Sequence, residues 1–146
     1  MQTTTDTTTL NSLLRGEMSA IETYRQGLEK LRDDHEPGVD ELRAIQRDHR
    51  DAADALWHYI ERLGGQPSKD SGAWGAFAKA VEGTARLFGD TAALKALKEG
   101  EEHGLKDYQD ALQNGNLPPD AQTLIRGFIT KQQSHIMVLD RLMAAQ

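Results

Sequence analysis

Two carboxylates and two imidazoles recur at matched places along this chain. The stretch Leu94 to Leu112, LKALKEGEEHGLKDYQDAL, sets Leu94, Leu97, Leu105, Tyr108 and Leu112 at helical spacing, and Glu101 falls in the same row, where a core side chain is expected. Subtracting 84 from each number returns Leu10, Leu13, Glu17, Ile21, Tyr24 and Leu28, with the acid and the tyrosine again seven residues apart. A second repeated pair, Gln46-x-x-His49 and Gln132-x-x-His135, stands at an offset of 86. Brought together, Glu17, His49, Glu101 and His135 could do one of two things. Two carboxylates and two imidazoles are a reasonable donor set for zinc, manganese or a single iron. The same four groups can also satisfy one another as a buried hydrogen-bond network that needs no metal.

The elements that must hold these residues are helices. Residues 1–8 read as a flexible threonine-rich tail, followed by a single domain over 9–146. Helix one is expected over about 10–32, with Leu10, Leu14, Glu17, Ile21, Tyr24, Leu28 and Leu31 in one row, and stops at Pro37-Gly38. Helix two is expected over about 39–63, with Leu42, Ile45, His49, Ala52, Leu56, Ile60 and Leu63 inward, and stops at Gly64-Gly65. The turn between them is short, so they are antiparallel neighbours. The next connection, residues 66–90, is too long for a hairpin and is expected to cross the bundle with a short helix from Ala73 to Leu87. Helix three follows over about 91–113 and helix four over about 120–143, with Leu124, Phe128, His135, Val138 or Leu139, and Leu142 inward. The fold class is all-α, a four-helix bundle of two similar hairpins joined by a long crossover. Its pseudo-two-fold axis brings Glu17, His49, Glu101 and His135 toward the middle.

Counting along the helices ranks the pairs. Glu101 lies 14 residues before Gly115 and His135 16 after Pro119, a mismatch of about 3 Å at about 1.5 Å per residue. Glu17 lies 17 before Asp34 and His49 12 after Pro37, about 7 Å apart along the axis. The second pair is expected to meet; for the first, Glu22 matches the level of His49 better, although it stands off the seam. Glu102 is the substitute for Glu101 if helix three is rotated by one residue. The plainer alternative leaves Glu17 and Glu101 at the edge of the seam, paired with Arg15 and Lys98 in water. Tyr24 and Tyr108 read as core rings with satisfied hydroxyls beside the acids. His35, His58 and His103 lie off the inward rows, and Glu99 on a solvated face.

Composition limits the partners. Among 146 residues, 23 acids against 17 basic residues leave a net charge of −6 with no basic patch, so no nucleic-acid partner is expected. The absence of cysteine removes disulfides, thiolate metal sites and thiol nucleophiles. No apolar run approaches the ~18 residues of a membrane span and the N-terminus MQTTTDTTTL lacks the parts of a signal peptide, so the expectation is a cytoplasmic protein with no membrane partner. The patterns of phosphate-binding loops and nucleophile elbows are absent, so no catalytic residue and no organic cofactor is assigned. The crossover side leaves room for a homodimer; the sequence names no other protein partner.

The repeated acids and histidines resemble the ferritin-like superfamily, whose di-iron members carry a Glu on two helices and a Glu-x-x-His on each of the other two. The resemblance implies Glu17 and Glu101 as the single acids and His49 and His135 as the histidines, with Tyr24 and Tyr108 around them. Gln46 and Gln132 stand where bridging carboxylates would be, and glutamine is a poor ligand for iron. The Glu-rich third helix with Tyr108-x-x-Ala111, the run Leu63-Gly64-Gly65-x-Pro67-x-x-x-Ser71-Gly72 and the histidine of the last helix are similar to a bacterial family of ferritin-like domains with no assigned activity. With carboxylates missing at 46 and 132, the first reading is a non-catalytic bundle, structural or partner-binding, with a polar Glu/His/Gln centre. The alternative is a redox or iron-handling protein that binds iron, manganese or zinc through a reduced ligand set.

Overall fold

The structure, a computed structural model, describes residues 3–29, 38–69, 91–114 and 116–145, with side chains from Thr7 onward. Four helices carry the chain: α1 Thr3–Glu29, α2 Val39–Arg62, α3 Thr91–Asn114 and α4 Pro119–Ala144. At about 1.5 Å per residue each spans roughly 35–40 Å. The expected end of α1 at Arg32, the turn through Pro37 and the short crossover helix lie outside the described residues.

Residues 3–8, expected as a tail, form the first turns of α1. Threonine is a weak helix former, but tertiary contact outweighs that cost here. Asn11 Nδ2 donates to the Gln66 carbonyl at 2.9 Å, and the Ser68 amide donates back to Asn11 Oδ1 at 2.7 Å. Thr7 packs so tightly on Gly65 that a Cβ there would come within 2.5 Å of it. The first turns of α1 are thus anchored to the chain leaving α2.

The helix ends follow local chemistry. Gly38, at φ 95°, precedes α2, a conformation glycine adopts at little cost. The end of α2 is a Schellman motif: Gly64, at φ 81°, donates to the Glu61 carbonyl and Gly65 donates to that of Ile60, both at 3.0 Å. Pro119 occupies the first turn of α4, where its missing N–H costs nothing.

The four helices bury two apolar blocks. One contains Tyr24, Leu42, Ile45, Leu94, Leu97 and Leu139; the other contains Leu10, Leu14, Leu56, Ile60, Tyr108 and Ile125. On every helix the two blocks flank a polar residue: Glu17 on α1, His49 on α2, Glu101 on α3, Gln132 and His135 on α4, each buried. α1 and α4 run from the second block to the first, α2 and α3 the opposite way. The end of α2 and the start of α3 therefore lie at opposite ends of the bundle, which is why a long connection is needed. α1 packs on α2 and α3, and α4 on α3 and α2. No helix among the described residues is long and apolar enough to cross a membrane.

Candidate metal centre

Each polar residue of the middle layer is delivered by a row of apolar neighbours that cannot move without exposing the core. Glu101, fully buried on α3, is the hub. His49 Nε2 lies 2.7 Å from its Oε2 and His135 Nδ1 3.0 Å from its Oε1, while the Tyr24 hydroxyl donates to Oε2 at 2.7 Å. The other ring nitrogen of each histidine meets a second carboxylate: His49 Nδ1 lies 2.8 Å from Glu17 Oε2, and His135 Nε2 lies 2.8 Å from Asp48 Oδ2. The imidazole centroids are 5.0 Å apart, and Tyr24 stacks on His49 at 5.6 Å.

Electrostatics follow from this packing. Burial works against a charge on His49, but the carboxylates of Glu101 and Glu17 outweigh it and raise its pKa well above 6.5. Burial likewise opposes ionisation of Glu101, yet the His49 charge and the hydrogen bonds from His135 and His49 bring its pKa down to about 2. Burial, followed by the charge of Glu101, pushes the Tyr24 phenol well above 10, so it remains a donor.

The structure brings all four principal candidates, Glu17, His49, Glu101 and His135, into one network. The 7 Å mismatch expected for Glu17 and His49 is corrected: their side chains meet, with His49 Nδ1 2.8 Å from Glu17 Oε2. Neither Glu17 nor Glu101 sits in water beside Arg15 or Lys98; Lys98 pairs with Asp140 instead. Glu22 is exposed and engaged by Arg25, and Glu102 is exposed, so neither substitute reaches the centre. His58 and His103 are exposed and face Glu61 and Asp107, and His35 lies outside the described residues.

The glutamines do not point at the centre. Gln46 Nε2 donates to the Ile21 carbonyl at 3.1 Å and Gln132 Nε2 to that of Glu101 at 3.0 Å, tying α2 to α1 and α4 to α3. Gly104 makes room for this: a Cβ there would come within 2.7 Å of Gln132 Nε2. Tyr24 has the satisfied hydroxyl expected of it, whereas the buried hydroxyl of Tyr108 lies beside Glu17 without a well-formed hydrogen bond. Burial, and then the charge of nearby Glu17, raises the Tyr108 phenol well above 10. Asp48 was missed because it stands off the inward row; its signal is its place beside His49 in Gln46-Arg47-Asp48-His49. The equivalent residue of the second hairpin is Ser134, so Asp48 breaks the pseudo-symmetry.

The donor set can be tested against a metal. His49, His135 and Glu101, all buried, each offer one ligand atom, and these atoms lie within 4.8 Å of one another. Two imidazoles and a carboxylate suit one first-row divalent ion. Carboxylates held against the outer nitrogens of both rings are the supports that ligating histidines use. A four-carboxylate pair site does not fit, because Gln46 and Gln132 are neutral and committed to backbone carbonyls.

In the solved structures, the chain is similar to one described as ferritin like, diiron-carboxylate proteins from Bacillus anthracis str. Ames, with a TM-score of 0.79 over 98% of each chain and 20% identity, a likeness of fold. Among curated proteins none matches. The sequence pattern of a protein family matches residues 5–114, a span that includes Glu17, His49 and Glu101 and stops before α4. The chain belongs to that family, described as a domain of unknown function (DUF2383), and it carries the ferritin-like fold.

Proposed function

We propose that the protein is a metal-binding ferritin-like bundle that holds a single divalent first-row ion at His49, His135 and Glu101. The observation that carries this reading is that both histidines turn one nitrogen to Glu101 and have the other held by a separate carboxylate, Glu17 or Asp48. The diiron-carboxylate description of the Bacillus protein supports a metal in a bundle of this fold, and Gln46 and Gln132 argue for one ion here rather than two. An ion bound here supplies Lewis acidity, or one-electron chemistry if it is iron or manganese.

The chain's own residues do the positioning. Glu17 and Asp48 fix the ring orientations, and Tyr24 holds Glu101 in one rotamer by donating to Oε2. Gln132 pins the backbone of Glu101 to α4. His49 gives up its Nε2 proton when it acts as a ligand, so binding releases protons and weakens at low pH.

The second reading, a metal-free structural or partner-binding bundle, has one observation on its side: both nitrogens of both histidines already meet carboxylates. Thermal melts separate the two. With metal binding, Zn(II), Mn(II) or Fe(II) added anaerobically raises the melting temperature, chelator reverses the rise, and Glu101→Gln abolishes it. With a metal-free network, none of the ions shifts the melt.

A further inference from the structure

The polar centre lies between two faces of the bundle, and they are not equivalent. On the α2/α4 face, a groove of about 440 Å³ is lined by Asp48, Asp51, Ala52, Gly127, Phe128 and Lys131 among others. Asp48, Ala52, Phe128 and Lys131 also border a recess of about 10 Å³ that contains Glu17, His49, Gln132 and His135. On the α1/α3 face, a recess of about 20 Å³ beside Gly16 and Gly104 reaches Glu17 and Tyr108 but neither histidine. Among the described residues, the α1/α3 face also carries a groove, of about 460 Å³ beside Ser12, Leu13 and Asp107, but the recess it adjoins stops at Glu17 and Tyr108, whereas the recess of the α2/α4 face borders both imidazoles.

Asp48 sits where the α2/α4 groove meets that recess. Its side chain is 29% exposed, one oxygen meets His135 Nε2 and the other faces the Lys131 ammonium at 3.8 Å. Lys131 is long and 63% exposed, so its ammonium can swing away. The inner recess is about the volume of one water probe, so a hydrated ion does not pass without that movement. We infer that the α2/α4 groove is the uptake route for the divalent cation, with Asp48 as the receiving carboxylate and Lys131 as the resident cation that must yield it. The inference rests on the metal-binding reading and adds the direction from which the site is loaded. Asp48 exchanges Lys131 for the incoming ion at the rim, and His135, already in contact with Asp48, is the first imidazole within reach.

The test is the rate of Co(II) uptake by the full chain, followed by the visible absorption of the bound ion in stopped flow, with total bound cobalt measured afterwards. Lys131→Ala removes the competing charge and is expected to load several-fold faster, while Asp48→Asn loads about tenfold slower. Gly127→Leu adds bulk where a Cβ meets nothing within 4 Å, so it plugs the groove without disturbing the fold and slows loading at unchanged final stoichiometry. Gly16→Leu, equally open but on the opposite face, leaves the rate unchanged. Wild-type rates in both Lys131→Ala and Gly127→Leu, or slow loading in Gly16→Leu, would overturn the route while leaving the site intact. A wild-type protein that retains no cobalt would overturn the metal-binding reading, and the route with it.

Discussion

The two tyrosines nearest the acids occupy related places and differ in one respect, which makes them a sensitive pair. Tyr24 donates to an ionised, buried carboxylate; the Tyr108 hydroxyl lies beside Glu17 without a well-formed hydrogen bond. Tyr24→Phe is therefore expected to lower the unfolding free energy by about 1–3 kcal/mol, because it strips a donor from a buried charge. Tyr108→Phe removes a hydroxyl whose contact with Glu17 is poorly formed and is expected to cost less than about 1 kcal/mol. Urea unfolding of both variants checks this, and equal losses would show that the Tyr108 hydroxyl bonds Glu17 as well as Tyr24 bonds Glu101. Helical spacing was enough to place Glu17, His49, Glu101 and His135 in the core, because each interrupts an apolar row. It could not find Asp48, whose role depends on which helix lies across from α2. Nor could it separate Tyr24 from Tyr108, since hydroxyl satisfaction is a matter of ångströms between helices.

At the scale of the helix, Gln132 and Gly104 act together. Gln132→Glu replaces a donor to the Glu101 carbonyl with an acceptor, and about 1–3 kcal/mol of stability is expected to be lost at neutral pH. If position 132 could instead serve as a bridging ligand, the same variant would bind a second ion per chain. Gly64→Ala puts a Cβ at φ 81° in the Schellman motif and is expected to cost about 1 kcal/mol in the same unfolding assay. Most helix ends were legible because glycine and proline mark them. The start of α1 was not, since it is anchored by contacts distant in sequence, Asn11 to Gln66 and Ser68 and Thr7 to Gly65. The inward face of α4 was read partly one residue off: Leu124 and Phe128 are half-buried, while Ala121, Ile125 and Gln132 are buried. Small and polar side chains carry little weight in an apolar pattern, although helix packing buries them readily.

For the whole molecule, a charged layer between two apolar blocks links stability to pH. Glu101 has its pKa lowered from 4.5 to about 2, so the stability it contributes is present above pH 4.5 and lost as pH falls toward 2. His49 has its pKa raised well above 6.5, so its contribution is complete below 6.5 and lost as pH rises through the raised value. Melting temperatures in chelator are expected to be highest between about pH 4.5 and 6.5 and to fall on both sides. A bound ion needs His49 deprotonated at Nε2, so the metal-dependent rise in melting temperature is expected to grow with pH, opposite to the metal-free trend above 6.5. A metal-free profile that is flat from pH 4 to 9 would mean that the layer carries no ion pair.

The central claim is one ion per chain at His49, His135 and Glu101, and elemental analysis tests it most directly. Protein purified without an affinity tag is incubated with Fe(II), Mn(II) or Zn(II), desalted and assayed for metal and protein. The wild type is expected to retain about one ion per chain, and a His49→Ala, His135→Ala double variant that remains folded by circular dichroism none. No retained metal from any of the three, or two ions per chain, would contradict it.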